Sequence, residues 1–204
     1  MAERLLEIGA ERNVPYTIYR PGFIGGATTN GASNSTDTVS RFIDACFELG
    51  CVPEIDSQVS MIPVDFLSRT IVSLAKRASS SACEYNLMHP EQVNFRDITG
   101  IMVAMGLAPQ GRVSSVEWLA RCAENPLTQA LPAVLAPPPN VRAIPPADVT
   151  IPNEIEEQVR AGRGCPAIDE QLLRKYIAWR HALRLASSAA LVRTRADLIS
   201  VSNT

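Results

Sequence analysis

Residues 22–26, GFIGG, place three glycines in five positions directly after the β-prone run YTIYR and Pro21. Such a stretch could cradle a phosphate. That chemistry needs a strand, then G-x-G-x-x-G or a near relative, then a helix opening under the pyrophosphate. The strand is present, but after Gly26 the chain runs through ATTNGASNS before helical periodicity returns. Pro21 also lacks the N–H that a phosphate loop would use. Asp44, about twenty residues on where a ribose-binding acid would be sought, falls inside a helical pattern. The phosphate-loop reading therefore fails. Pro-Gly is instead the pair favoured at the centre of a type II turn, and a Gly at a strand's carboxyl end lets backbone approach a planar ring closely. An ordinary turn is the alternative.

Other reactive side chains are sparse. The five cysteines (Cys46, Cys51, Cys83, Cys122 and Cys165) form no CxxC pair, and the two histidines, His89 and His181, lie far apart. That disfavours a metal site or disulfide framework and suits reduced, partly buried thiols in a cytoplasmic protein. A nucleophilic Cys–His pair stays as an alternative. A net charge of −2 gives no electrostatic case for nucleic acid or anionic membrane. The locally basic LLRKYIAWRHALRL reads as one solvated helix face. No apolar run approaches the ~20 residues that span a bilayer, and MAERLLEIGAERN lacks the pattern of a signal peptide.

The elements that must position these residues alternate. AERLLEIGAERN suits an amphipathic helix closed by Asn13 and Pro15, and YTIYR a strand. Residues 27–36 form a polar loop. Thr36 or Asp37 can cap a helix through TVSRFIDACFELG, which Gly50 stops. A strand near SMIPV, a helix over 65–76, a strand over 84–88 and the helix FRDITGIMVAMG follow, then strand-like RVSSV and the helix VEWLARCAE. This is the α/β pattern. Seven prolines between 132 and 152 exclude helix and central strand, so that segment reads as a cover or linker. CPAIDEQLLRKYIAWRHALRL is a strong helix, with Leu172, Leu173, Tyr176, Ile177, Arg180 and Leu183 at helical spacing. The remainder, 186–204, is weakly patterned and predicts a flexible tail.

The order of VPYTIYRPGFIGG, a polar loop, DTVSRFIDACFELGCVPEIDSQVSMIPVDFLSRTIVSL, EYNLMHPEQVNFRDI and CPAIDEQLLRKYIAW resembles the second half of a thioester reductase domain. Such domains are extended short-chain dehydrogenase/reductases of nonribosomal peptide synthetases, polyketide synthases, carboxylic acid reductases and aminoadipate reductases. The resemblance covers roughly residues 2–184. It implies an α/β fold: the second half of a Rossmann-like parallel sheet over 1–88, and a mostly helical substrate- and carrier-binding subdomain over 89–185. The Pro-rich cover at 132–152 and the tail 186–204 complete that division. It further implies NADPH as cofactor, with Pro21, Gly22, Phe23 and Ile24 bordering the nicotinamide and the Ile24 backbone meeting its carboxamide. Thr28, Thr29, Asn30, Asn34 and Ser35 would line the route of a phosphopantetheine arm, although solvation of a surface loop explains their polarity equally well. Met61, Pro63 and Asp65 would stand near the substrate, with Asp65 as a simple helix cap the slightly favoured alternative.

Reduction in that family rests on Tyr-x-x-x-Lys, and none of Tyr16, Tyr19, Tyr85 and Tyr176 has a lysine four positions on. The resemblance therefore implies an upstream half of the reductase, carrying that pair and the glycine-rich loop, and a chain inactive by itself. An acyl or peptidyl carrier protein is the implied partner, and aldehyde or alcohol the implied product. A non-catalytic carrier-docking module is one alternative reading. A fragment of another extended dehydrogenase or epimerase is the other.

Overall fold

Asp37 has an extended backbone and its carboxylate accepts a hydrogen bond from the Ser40 N–H at 2.8 Å, so the helix predicted after the polar loop starts there. In the computed structural model, which describes residues 2–76, 83–131 and 164–201, the helices and strands predicted from sequence appear in order, joined by four short strands that were not predicted, at residues 23–25, 52–54, 58–59 and 93–94. They are α1 (Ala2–Ala10), β1 (Thr17–Pro21), β2 (Phe23–Gly25), α2 (Thr38–Leu49), β3 (Val52–Glu54), β4 (Gln58–Val59), β5 (Met61–Pro63) and α3 (Val64–Lys76). After these come β6 (Cys83–Leu87), β7 (Val93–Asn94), α4 (Phe95–Ala104), β8 (Arg112–Ser114), α5 (Ser115–Glu124) and α6 (Glu170–Val201). The Pro-rich segment at 132–152 lies outside the described residues.

The strands pair two by two. Three pairs are parallel: β1 with β6, β2 with β5, and β3 with β8. Only β4 with β7 is antiparallel among the described strands. Parallel pairing requires long crossovers, and helices supply them, which is the α/β arrangement expected. Tyr19 and Tyr85 stack across the β1–β6 pair with ring centroids 5.7 Å apart.

Apolar side chains gather in two clusters. In the larger, Phe42 of α2 meets Phe95 edge-on and Trp118 at a tilt, with Met102, Leu173 and Ile177 around them. The smaller joins Ile62, Phe66, Leu67, Leu74 and Leu87 between β5, α3 and β6. Packing thus crosses the boundary expected at residue 88. α2 and β3 bury their apolar faces in the helical cluster, because Val39, Phe42, Ile43, Cys46 and Val52 point there. The helix predicted after CPAID also extends further than expected. It is continuous through Val201, so residues 186–201 are helical backbone where weak patterning suggested a loose tail.

Candidate site at the carboxyl ends of the parallel strands

The chain changes partner at Gly22. Its N–H donates to the Leu87 carbonyl of β6 at 3.3 Å, and the next N–H, that of Phe23, donates to Ser60 at 3.0 Å on the β5 side. A Cβ on Gly22 would come within 2.8 Å of the Ser60 carbonyl oxygen and 3.0 Å of the Met88 sulfur, so no larger residue fits the crossing. Pro21 ends β1 opposite Leu87 and is exposed. Phe23 and Ile24 are exposed apolar residues at 43% and 40%. Since alternate residues of a parallel strand face opposite edges, the Ile24 amide turns away from β5. Phe23 and Ile24 thus form an accessible apolar pair where the sequence leads one to expect the planar end of a dinucleotide. No glycine-rich loop opens a helix among the described residues, so the phosphate end has no cradle here.

The loop beyond is held by charge. Both Asp65 oxygens bond Thr28: Oδ2 accepts from its hydroxyl at 2.6 Å and Oδ1 from its N–H at 3.2 Å. Asp65 sits in the first turn of α3, but its carboxylate is spent on this tertiary contact, so the capping role favoured from sequence gives way. Burial pushes its pKa up, yet the Thr28 hydroxyl and N–H, its own backbone N–H and Arg69 outweigh that and hold the carboxyl below its ordinary value.

Remaining candidates divide by what their side chains do. Asn30 Oδ1 accepts from Ala32 N–H and Asn34 Oδ1 from both the N–H and hydroxyl of Thr36, so both amides brace the loop itself. Thr29 is exposed. Met61 and Pro63 are buried in β5, and the Met61 sulfur would lie 3.0 Å from a Cβ on Gly25. They shape the floor under the turn and present no surface to a substrate.

Four residues have roles here that nothing local in the sequence signals. Lys175 Nζ donates to the Thr28 carbonyl at 3.0 Å. The Tyr176 ring fills the space beside Gly25 and Gly26, and would lie 2.8 Å from a Cβ on the latter. Its hydroxyl is buried without a hydrogen-bond partner among the described residues, and burial, then Asp65 and Cys165, push its pKa well above its ordinary value. Gly31, at φ +77°, lies so close under α6 that a Cβ would crowd the Lys175 carbonyl. Tyr176 is legible as one apolar position of a helix, but nothing local ties it to residues 25–31. His89 is the fourth. It is buried, its Nε2 donates to the Pro166 carbonyl at 3.0 Å, and its Nδ1 accepts from Glu91 N–H at 3.0 Å. The imidazole thus pins the CPAID segment and does not address a thiol. Burial, then Glu91, pushes the neighbouring Cys165 thiol up to about 12, which leaves it a poor nucleophile. Cys46, Cys51, Cys122 and Cys165 are free thiols. Among the described residues no helix is long and apolar enough to cross a membrane.

Residues 1–71 match the family described as Male sterility protein, an NAD-binding family. The non-canonical nonribosomal peptide synthetase FrzA of a Cladobotryum species is 35% identical over 136 residues, covering 65% of this chain and 13% of that protein. The large subunit of L-2-aminoadipate reductase from Eremothecium gossypii is 31% identical over 159 residues, 73% of this chain and 11% of its own. Among solved structures, the terminal R domain from the myxalamid PKS-NRPS pathway superposes with a TM-score of 0.66 at 27% identity, over 87% of this chain and 46% of that domain. The chain spans less than a fifth of those curated relatives and less than half of that solved domain. It belongs to the thioester reductase family, the extended short-chain dehydrogenase/reductases found in nonribosomal peptide synthetases and aminoadipate reductases.

Proposed function

We propose that this chain forms the substrate-side part of an NAD(P)H-dependent reductase that releases carrier-bound acyl or peptidyl thioesters as aldehyde or alcohol. One observation carries the reading. The exposed Pro21–Ile24 turn leaves the carboxyl end of the parallel β1–β6 pair, where open α/β sheets bind their ligands, and runs into the start of β2. NADPH, when bound, supplies the hydride. The chain's own residues border the ring through Phe23 and the Ile24 backbone, and keep the adjoining loop in place through Thr28, Asp65 and Lys175. Residues 27–36 then line the route of the phosphopantetheine arm, and the helical part meets the carrier protein. The proton donor is a Tyr-x-x-x-Lys pair contributed by an upstream half of the reductase.

The test is NADPH oxidation in the presence of an acyl thioester on a carrier protein. The 204-residue chain alone should show no turnover. Supplied with an upstream half that carries the glycine-rich loop and the Tyr-x-x-x-Lys pair, it should turn over. Gly22→Val, which drives side-chain atoms into the Ser60 carbonyl, should then cut kcat/KM for NADPH at least about tenfold. Turnover by the chain alone overturns the proposal, and so does silence of the completed protein. Carrier binding in the latter case would favour a docking module without chemistry.

A further inference from the structure

A cleft of about 500 Å³ opens between α2, α6 and the turn that follows α5. It contains none of Pro21–Ile24, Thr28 or Asp65, and takes only Ser35 from the polar loop. Three guanidinium groups stand on its wall, on Arg41, Arg180 and Arg184. Two are engaged. Arg180 grips Asp44 through Nε at 3.1 Å and through Nη2, and Arg184 reaches Glu48 at 2.8 Å. Arg41 is exposed and makes no side-chain hydrogen bond or ion pair with the described residues.

Arg180 is only 5% exposed, and its Nη1 is buried without a hydrogen-bond partner among the described residues. A guanidinium presents five N–H donors, and Asp44 takes those along one edge. Folded proteins seldom leave the other edge of a buried cation unanswered. Three cations against two carboxylates leave one positive charge in excess on this wall. Facing it are the aliphatic side chains of Leu127, Leu131 and Leu183, of which Leu127 is 76% exposed. The volume is within the range of small-molecule sites.

We propose that this cleft binds a medium-chain aliphatic carboxylate, its head between Arg41 and the unpaired Nη1 edge of Arg180 and its chain along Leu127, Leu131 and Leu183. A single excess charge matches a monoanion, and the leucine wall excludes a bare inorganic ion as the preferred ligand. The site is separate from the turn at Pro21–Ile24, so occupancy needs neither cofactor nor thioester.

Calorimetric titration of the whole chain, without NADPH, tests this with decanoate below its micelle concentration, with decanol and with inorganic phosphate. Decanoate should bind one per chain, and decanol and phosphate at least about tenfold more weakly, a charged contact and an aliphatic wall each being lost. Arg41→Gln should weaken decanoate about two- to fivefold, as suits an exposed charge. Leu183→Trp and Leu127→Trp fill the cleft from exposed positions and should abolish binding while the thermal melt is retained. Decanol binding as tightly as decanoate, unchanged binding in both tryptophan variants, or no decanoate binding at all overturns the proposal. None of these outcomes depends on the reductase reading.

Discussion

Each oxygen of the Asp65 carboxylate accepts a hydrogen bond from the same residue, Thr28, 37 positions away in sequence. Two hydrogen bonds to a charged group should couple Thr28→Val and Asp65→Asn by about 1–2 kcal/mol in a double-mutant cycle read by urea unfolding. The carboxyl titrates lower in the folded chain than in the unfolded one, so its contribution is complete above the unfolded value of about 3.9 and disappears as pH falls through the folded value. Stability between about pH 5 and pH 2 should therefore decline less steeply in Asp65→Asn than in the wild type. Gly31 is held more tightly still. Its φ of +77° and the overlying Lys175 carbonyl predict that Gly31→Ala costs about 3 kcal/mol in the same unfolding experiment. Sequence alone makes Asp65 either a helix cap or a site residue, since an acid in a first turn serves both. Only the distant Thr28 decides between them.

Helices were legible because each has an apolar face at helical spacing and a polar stop, as α2 does between Asp37 and Gly50. Of the short strands, β5 and β8 were legible in SMIPV and RVSSV, but β2, β3, β4 and β7 were not. β4 and β7 have two residues each and carry no alternation to read, so their antiparallel pairing appears only when Val59 meets Val93. At this scale α2 and α6 are joined by two ion pairs of unlike worth. Arg180 is buried against Asp44, whereas Arg184 and Glu48 both keep contact with solvent. Arg180→Met should destabilise the chain by about 2 kcal/mol, reduced from the cost of a fully buried pair because Asp44 can regain water. Arg184→Met should cost under about 1 kcal/mol. Thermal melts of the two variants at equal ionic strength check the difference.

Across the whole molecule, the CPAID segment bridges the two apolar clusters. Cys165 packs on the smaller cluster, Ile168 on the larger, and His89 holds the Pro166 carbonyl between them. The CPAID motif was legible as a family mark, but its partner His89 lies 77 residues upstream and could not be read from spacing. With the bridge intact, tryptophan fluorescence, to which Trp118 contributes from the larger cluster, and near-ultraviolet dichroism of Tyr19 and Tyr85 on the smaller should report one coincident unfolding transition. His89→Leu removes the hydrogen bond to Pro166 and should separate the two signals, the tyrosine transition coming first. Coincident transitions in that variant would place the coupling elsewhere.

The stacked tyrosines also bear on the order of events when the chain folds. β1 and β6 are neighbours in space but are separated in sequence by α2, β5 and α3, and the flanking pair Arg20–Glu84 closes across 64 residues. Contacts of that separation are paid for in chain entropy before they return any energy. Helix formation should therefore run ahead, and the Tyr19–Tyr85 signal should rise in the slowest phase of refolding. The two rings then mark the moment at which the Pro21–Ile24 turn first acquires its neighbours.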